Sequence, residues 1–370
     1  MKIEIFELER TQSLYENTVD YNLTESGVHP YTLEELLDKK EIENLLSLRL
    51  GYGQTNGSIE LREAVSRLYP GADLDNVLIT NGSAEANFIN IWCNLEPEDE
   101  LLLMVPNYMQ MSGIARSFGV TVKPFHLKEE LNWDPDLEEI KALITPRTKM
   151  IAVCNPNNPT GAVLSEEGMK EIIRLAKETD AWIYSDEVYR GAELNGKEIP
   201  SFFGLYDKVI ACCGLSKSYA LPGLRIGWLV GPKKAIEQCW ACHDYTSISS
   251  GMLGNHVAAL VLQPDRRMKV LNRNRKILKE NLSALQEWTD KHGDLFSFIP
   301  PRAGGIAFLK YSMNINSSEL MTKLREEKSV FIVAGDLFGM DHYLRIGFGA
   351  EKDYLLKGLS LFDELLHEMK

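Results

Sequence analysis

Cysteine is scarce: six occur in 370 residues, at positions 93, 154, 212, 213, 239 and 242. Most lie inside apolar runs, as reduced buried thiols do, and no disulfide framework is implied. Cys239, Cys242 and His243 spell C-x-x-C-H, the spacing of c-type haem attachment. That chemistry needs export, which nothing directs, and zinc would need a second ligand pair, so the stretch reads as a plain helix segment. Long apolar runs are also missing. Nowhere do about 18 apolar residues follow one another, and MKIEIFELER at the N-terminus is charged throughout, without the apolar centre of a signal peptide. A soluble, cytoplasmic protein with no membrane partner is expected. Positive charge is short as well. A net charge of −13 opposes nucleic acid and anionic bilayers, both of which reward a basic footprint, so an anionic ligand would need a local cationic site.

What is present is ordinary globular composition, 44% hydrophobic and 25% charged, in a chain too long for one core and long enough for two domains. From about Asp75 to Pro232, short apolar runs alternate with amphipathic ones. NVLIT, ELLLMV, KMIAVC, AWIYSD, KVIACC and IGWLV read as buried strands, being near-continuous apolar stretches bounded by turn residues. Between them, Ser165 to Thr179 reads as a helix with a Ser N-cap, Glu166 and Glu167 in its first turn and an apolar face. The alternation predicts an α/β fold whose mostly parallel sheet is flanked by helices, with ligands beyond the carboxyl ends of the strands. After Pro264 a long charged helix, shorter strands and a final helix from Glu351 predict a smaller α+β domain. The expected division is a large domain over residues 45–264 and a small one over 1–44 and 265–370.

Several side chains stand where such a sheet would present them. Ser83 and Ala84 open a helix after NVLITNG, where free N–H groups and the positive end of the dipole suit a phosphate, although a simple capped turn has the same pattern. Tyr108 follows a strand end and could either pack or stack on a flat ring. NPNNPTG, residues 155–161, forms a stiff turn that offers the Asn158 amide. Asp186 ends the strand AWIYSD, either capping the next element or pairing with a buried cation, and Tyr189 follows it. In GLSKSYALPGLRIGW, residues 214–228, a nucleophilic Lys217 and a phosphate-binding Arg225 share one Gly-rich loop.

In this order the residues resemble the fold-type I pyridoxal phosphate enzymes, specifically the class I/II aminotransferases. The resemblance runs from GYGQTNGSIELREAV at residue 51 to LRIGFG at 344. It implies pyridoxal 5′-phosphate (PLP) as cofactor and Lys217 as the Schiff-base and proton-shuttling lysine. Asp186 would hold the pyridinium, keeping the ring an electron sink, with Tyr189 and Asn158 on the phenolic oxygen and Tyr108 stacked on the ring. Arg225, Ser216, Ser83 and Ala84 would bind the phosphate, helped by Tyr52 from a partner subunit, so a homodimer with shared sites is implied. Arg345, with Asn158, Gly27 and His29, would hold the substrate, its guanidinium meeting an α-carboxylate through two charge-assisted hydrogen bonds. One position departs from the pattern. Many relatives have Ser or Thr three residues before the lysine, and here it is Gly214, leaving Ser216 or Ser218 to supply the hydroxyl.

The implied reaction is transfer of an α-amino group from an L-amino acid to a 2-oxo acid. The same residues serve other chemistries, because the cofactor carries the hard step. YNLTESGVHPYTLEELL resembles the opening of a group that includes capreomycidine synthase and PLP-dependent arginine oxidases, with His29 at the place of an O2-linked histidine and Glu16 or Asp20 available for a guanidinium. An oxidase or cyclase acting on L-arginine or a similar basic amino acid is therefore the alternative. A regulator that only binds PLP would carry a basic DNA-binding domain, and none precedes this fold.

Overall fold

The computed structural model describes residues 3–369. Its larger sheet has eight strands: β1 (Val77–Thr80), β2 (Glu100–Val105), β3 (Thr121–Lys128), β4 (Asp134–Pro135), β5 (Thr148–Cys154), β6 (Trp182–Asp186), β7 (Val209–Gly214) and β8 (Gly227–Val230). They lie in the order β1-β8-β7-β6-β5-β2-β3-β4. The run from β7 to β3 is parallel, and β8 enters antiparallel between β1 and β7. Strands β1, β2, β7 and β8 are buried along their whole length, as expected of strands covered on both faces.

The six expected strands form, each within a residue or two of its anticipated ends. Two strands carried no clear apolar signal. In β3, TVKPFHLK, buried positions alternate with exposed ones near the sheet edge, and β4 is only two residues long. The expected helix after Ser165 spans Glu166–Glu178, with the Ser165 side chain accepting from the Gly168 N–H.

Four helices matter for the site. α1 (Glu7–Tyr15) comes first, α2 (Ser83–Asn94) follows β1, α3 (Lys233–His243) follows β8, and α4 (Pro264–Lys291) leads to the small sheet. That sheet is antiparallel, in the order 296–297, 306–311, 343–347, 333–334. Leu23 and Val28 from the first forty residues pack into its core with Leu278, Leu344 and Phe362, whereas Leu36 and Leu37 pack with Val77 and Trp228 of the large sheet. α4 belongs to both sides: Val270 and Leu271 lie in the large core and Leu278 and Leu285 in the small one. Pro264 starts this helix, at a position where its missing N–H is not needed. Among the described residues no helix is long and apolar enough to cross a membrane.

The cysteine expectation needs one correction. Cys93 and Cys242 are joined in a disulfide with their Cα atoms 6.6 Å apart, tying α2 to α3, while Cys154, Cys212, Cys213 and Cys239 are free and buried. The partners are 149 residues apart in sequence and meet because the two helices pack side by side, which spacing along the chain cannot reveal.

Gly214 and Gly227 face each other across β7 and β8. A Cβ at Gly214 would lie 2.9 Å from the Ile226 carbonyl oxygen, and one at Gly227 would overlap the backbone of Gly82 and Ser83. Backbone atoms cannot swing aside, so Gly227→Ala should cost about 1–3 kcal/mol, the usual scale of overpacking. A urea unfolding midpoint equal to that of the unaltered protein would show that this approach has slack.

Candidate active site

Five strands of the large sheet deliver the site from their carboxyl ends. Beyond β1 come Ser83 and Ala84, beyond β2 Tyr108, beyond β5 Asn158, at the tip of β6 Asp186, and beyond β7 Ser216 and Lys217. All of them, with Tyr189, Arg225 and Arg345, line one cavity of about 310 Å³. Parallel strands all end on the same edge, and the loops leaving them converge there.

Asp186 is 4% exposed, and its carboxylate accepts from the Val188 N–H at 3.2 Å. No salt bridge compensates it among the described residues, and burial raises its carboxyl from 3.8 to about 6. A buried carboxylate without a cation is costly unless a ligand supplies one. Tyr189, buried, donates its hydroxyl to Ser26 Oγ at 2.9 Å. Lys217 Nζ donates to Glu25 Oε1 at 2.9 Å, and the ammonium holds the Glu25 carboxyl down at about 2. Arg225 adopts a left-handed backbone (φ +50°), which brings its guanidinium over Gly82, where a Cβ would overlap Nη2. Gly82 itself has φ +77°. Glycine is thus required at the turn that brings a cation beside the free N–H groups of α2.

Arg345 is 2% exposed. Its Nη1 donates to Asn158 Oδ1 at 3.0 Å and its Nη2 to the Thr24 carbonyl at 2.7 Å, while the buried Nε has no partner. A buried guanidinium facing a cavity with a donor to spare fits an anionic substrate group.

Three anticipated residues stand apart from the cavity wall. Tyr52 is 87% exposed and is far from lining the site within its own subunit. Gly27 lies behind Lys217, with its Cα side near the Ser216 carbonyl and its N–H given to Glu25 Oε1. His29 is turned toward Arg273, whose Nη2 is 3.1 Å from its Nδ1, and burial followed by that guanidinium lowers its pKa. The hydroxyl question at Gly214 divides cleanly: Ser216 lines the cavity, whereas Ser218 Oγ donates to the Val188 carbonyl.

One wall was anticipated only at Glu16, which lines the cavity; its other residues were missed. Glu9 and Gln12 of α1, with Glu16 at its C-terminal cap and Glu25 beyond, line the cavity opposite the strand ends. The signal was available. Positions 9, 12 and 16 are spaced i, i+3, i+7 and share one helix face. Glu9 accepts from the Tyr108 hydroxyl, and Glu16 has its carboxyl raised by burial and by the charges of Glu9 and Glu25. Asp20 is outside this wall, its N–H bonded to Ser329 Oγ.

The sequence profile of the family "Aminotransferase class I and II" matches residues 21–359. The chain belongs to the class I and II aminotransferase family. It is 29% identical to capreomycidine synthase of Streptomyces vinaceus, over 93% of this chain and 89% of that one. It is 31% identical to an arginine–pyruvate transaminase of Pseudomonas aeruginosa, over 84% and 81%. The crystal structure of a PLP-dependent aminotransferase from Streptococcus suis superposes with a TM-score of 0.94 at 35% identity, covering 100% of this chain and 99% of that chain. The fold is therefore fold type I and the cofactor of this family member is PLP.

The site's chemistry suits that group: a primary amine for its aldehyde, an uncompensated buried carboxylate for its ring nitrogen, and a helix N-terminus with an arginine for its phosphate. Asp186→Asn tests the carboxylate in the cofactor-free protein. Between pH 4 and 6 the folded state keeps a proton that the unfolded state releases, so burial of the charge lowers stability as pH rises through that window, fully above it. The substitution should stabilise the cofactor-free protein at pH 7 by up to about 3 kcal/mol, leave it unchanged below pH 4, and weaken PLP binding. Thermal unfolding at the two pH values reads this, and destabilisation at pH 7 would refute it.

Proposed function

We propose that this protein is a PLP-dependent aminotransferase that moves the α-amino group of an L-amino acid to a 2-oxo acid. The observation that carries this reading is the convergence of Lys217, Asp186 and the half-satisfied Arg345 on one cavity. When bound, PLP supplies an aldehyde for amines and a protonated ring that draws electrons from the substrate. In this reading the remaining chemistry belongs to the chain. Arg345 binds the α-carboxylate, freeing or sharing its contacts to Asn158 and Thr24, and so fixes which bond at Cα faces Lys217. Lys217 Nζ would hold the cofactor's aldehyde and, once the substrate amine has displaced it, would take the Cα proton and deliver it to the former aldehyde carbon across the nitrogen. Asp186 would keep the ring nitrogen protonated, Tyr189 and Asn158 would steady the phenolic oxygen, Tyr108 would pack on the ring, and Ser83, Ala84, Ser216 and Arg225 would hold the phosphate.

A homodimer with shared sites belongs to the same proposal. Its support is Tyr52, exposed together with Leu46, Leu50, Tyr245 and Leu253, large apolar side chains in the segments flanking the phosphate turn. A cytoplasmic location is likewise proposed. Lys217→Ala should remove the imine absorbance near the visible edge and abolish turnover. A variant that transaminates at the native rate would take the role away from Lys217.

A second reading has its own observation. Glu9, Glu16 and Glu25 give the wall opposite the strands a negative charge that suits a guanidinium or ammonium side chain, which would fit an oxidase or cyclase acting on L-arginine. Against it stands His29, which faces Arg273 rather than the cavity. Purified enzyme mixed with L-arginine in an oxygen electrode, without any oxo acid, should consume no oxygen. Uptake that disappears in His29→Ala would replace the aminotransferase reading with the oxidase.

A further inference from the structure

His243, the last residue of the C-x-x-C-H stretch, is fully buried at the end of α3. Its Nε2 lies 3.3 Å from Glu85 Oε2 and 3.0 Å from Ser247 Oγ, and its Nδ1 has no partner. Glu85 is the third residue of α2, in the same first turn as the Ser83 and Ala84 N–H groups. Besides His243 it accepts from the Thr246 hydroxyl at 2.7 Å and from the Asn81 N–H at 2.6 Å. Against the cost of burial, these hydrogen bonds bring its carboxyl down to about 2. The carboxylate thus grips the turn before the helix on one side and the 243–247 segment on the other.

A negative charge so close to a phosphate would repel it if left free. Here Glu85 is absent from the cavity lining, and its carboxylate is taken up by Asn81, Thr246 and His243. We propose that Glu85 and His243 are positioning residues for the cofactor's phosphate. The pair fixes the Asn81–Gly82 turn, and that turn aims the Ser83 and Ala84 N–H groups into the site and leaves room for Arg225. This assigns the histidine of the C-x-x-C-H stretch a purpose that neither haem nor metal accounts for. The inference rests on PLP as cofactor and is independent of which reaction follows.

The test compares equilibrium binding of PLP with that of pyridoxal, which lacks the phosphate, to the full-length protein. Glu85→Ala and His243→Leu should each weaken PLP binding about tenfold, the scale of one charge-assisted hydrogen bond, and leave pyridoxal binding unchanged. Glu85→Gln, which still accepts from the Asn81 N–H, should recover most of the loss. Thr246→Val, at an exposed position, gives a smaller loss in the same direction and serves if His243→Leu does not fold. Unchanged or tighter PLP binding by Glu85→Ala would mean that the carboxylate only repels the phosphate, and equal losses for both ligands would mean general damage. Either result overturns the proposal. An unaltered protein that binds neither ligand would instead overturn the cofactor assignment.

Discussion

The buried carboxylate of Asp186 is the constraint on which the rest of the site depends. It sits at the tip of a central strand, with no salt bridge among the described residues, at an energetic cost that an incoming positive charge relieves. A more stable protein could be made by neutralising it. Its retention makes sense where the missing charge comes from a protonated ring, and the relief becomes part of the binding free energy. The fold bears the strain in a sheet with four strands buried along their whole length and paired glycines that allow no added side chain.

Around that carboxylate the positive groups are divided by task. Arg225 stands over a glycine turn next to free helix N–H groups, a combination built for a phosphate. Arg345 is buried and held by Asn158 and a main-chain carbonyl, with one N–H to spare, a combination built for a smaller anion that comes and goes. Lys217 lies between them against Glu25. Overall acidity is therefore no obstacle to binding anions, because the cations are gathered where the strands end, even though Glu9, Glu16 and Glu25 line the opposite wall.

How much of this was legible beforehand follows from what each element depends on. Strands buried on both faces announce themselves as apolar runs, and the residues that follow each run are delivered to one edge by parallel geometry, so Asp186, Asn158 and Lys217 could be brought together from sequence order alone. Strand β3 escaped because its exposed face breaks the pattern and it carries a proline. Of the acidic wall only Glu16 was anticipated, and the rest escaped for another reason: α1 is joined to the site by tertiary packing of Leu8 and Tyr108, and no local preference encodes where a surface helix docks. The Cys93–Cys242 bond and the His243–Glu85 contact were hidden in the same way, since each joins helices that are distant in sequence. His29 shows the reverse case, a residue whose neighbourhood in sequence suggested the cavity while its ring turned to Arg273.

The placement of α1 has a consequence for how the protein is made. Its Glu9 and Gln12 leave the ribosome long before Arg345, which lines the same cavity. A nascent chain that has not yet reached Arg345 thus has the strand-end loops of the cavity but lacks its buried guanidinium.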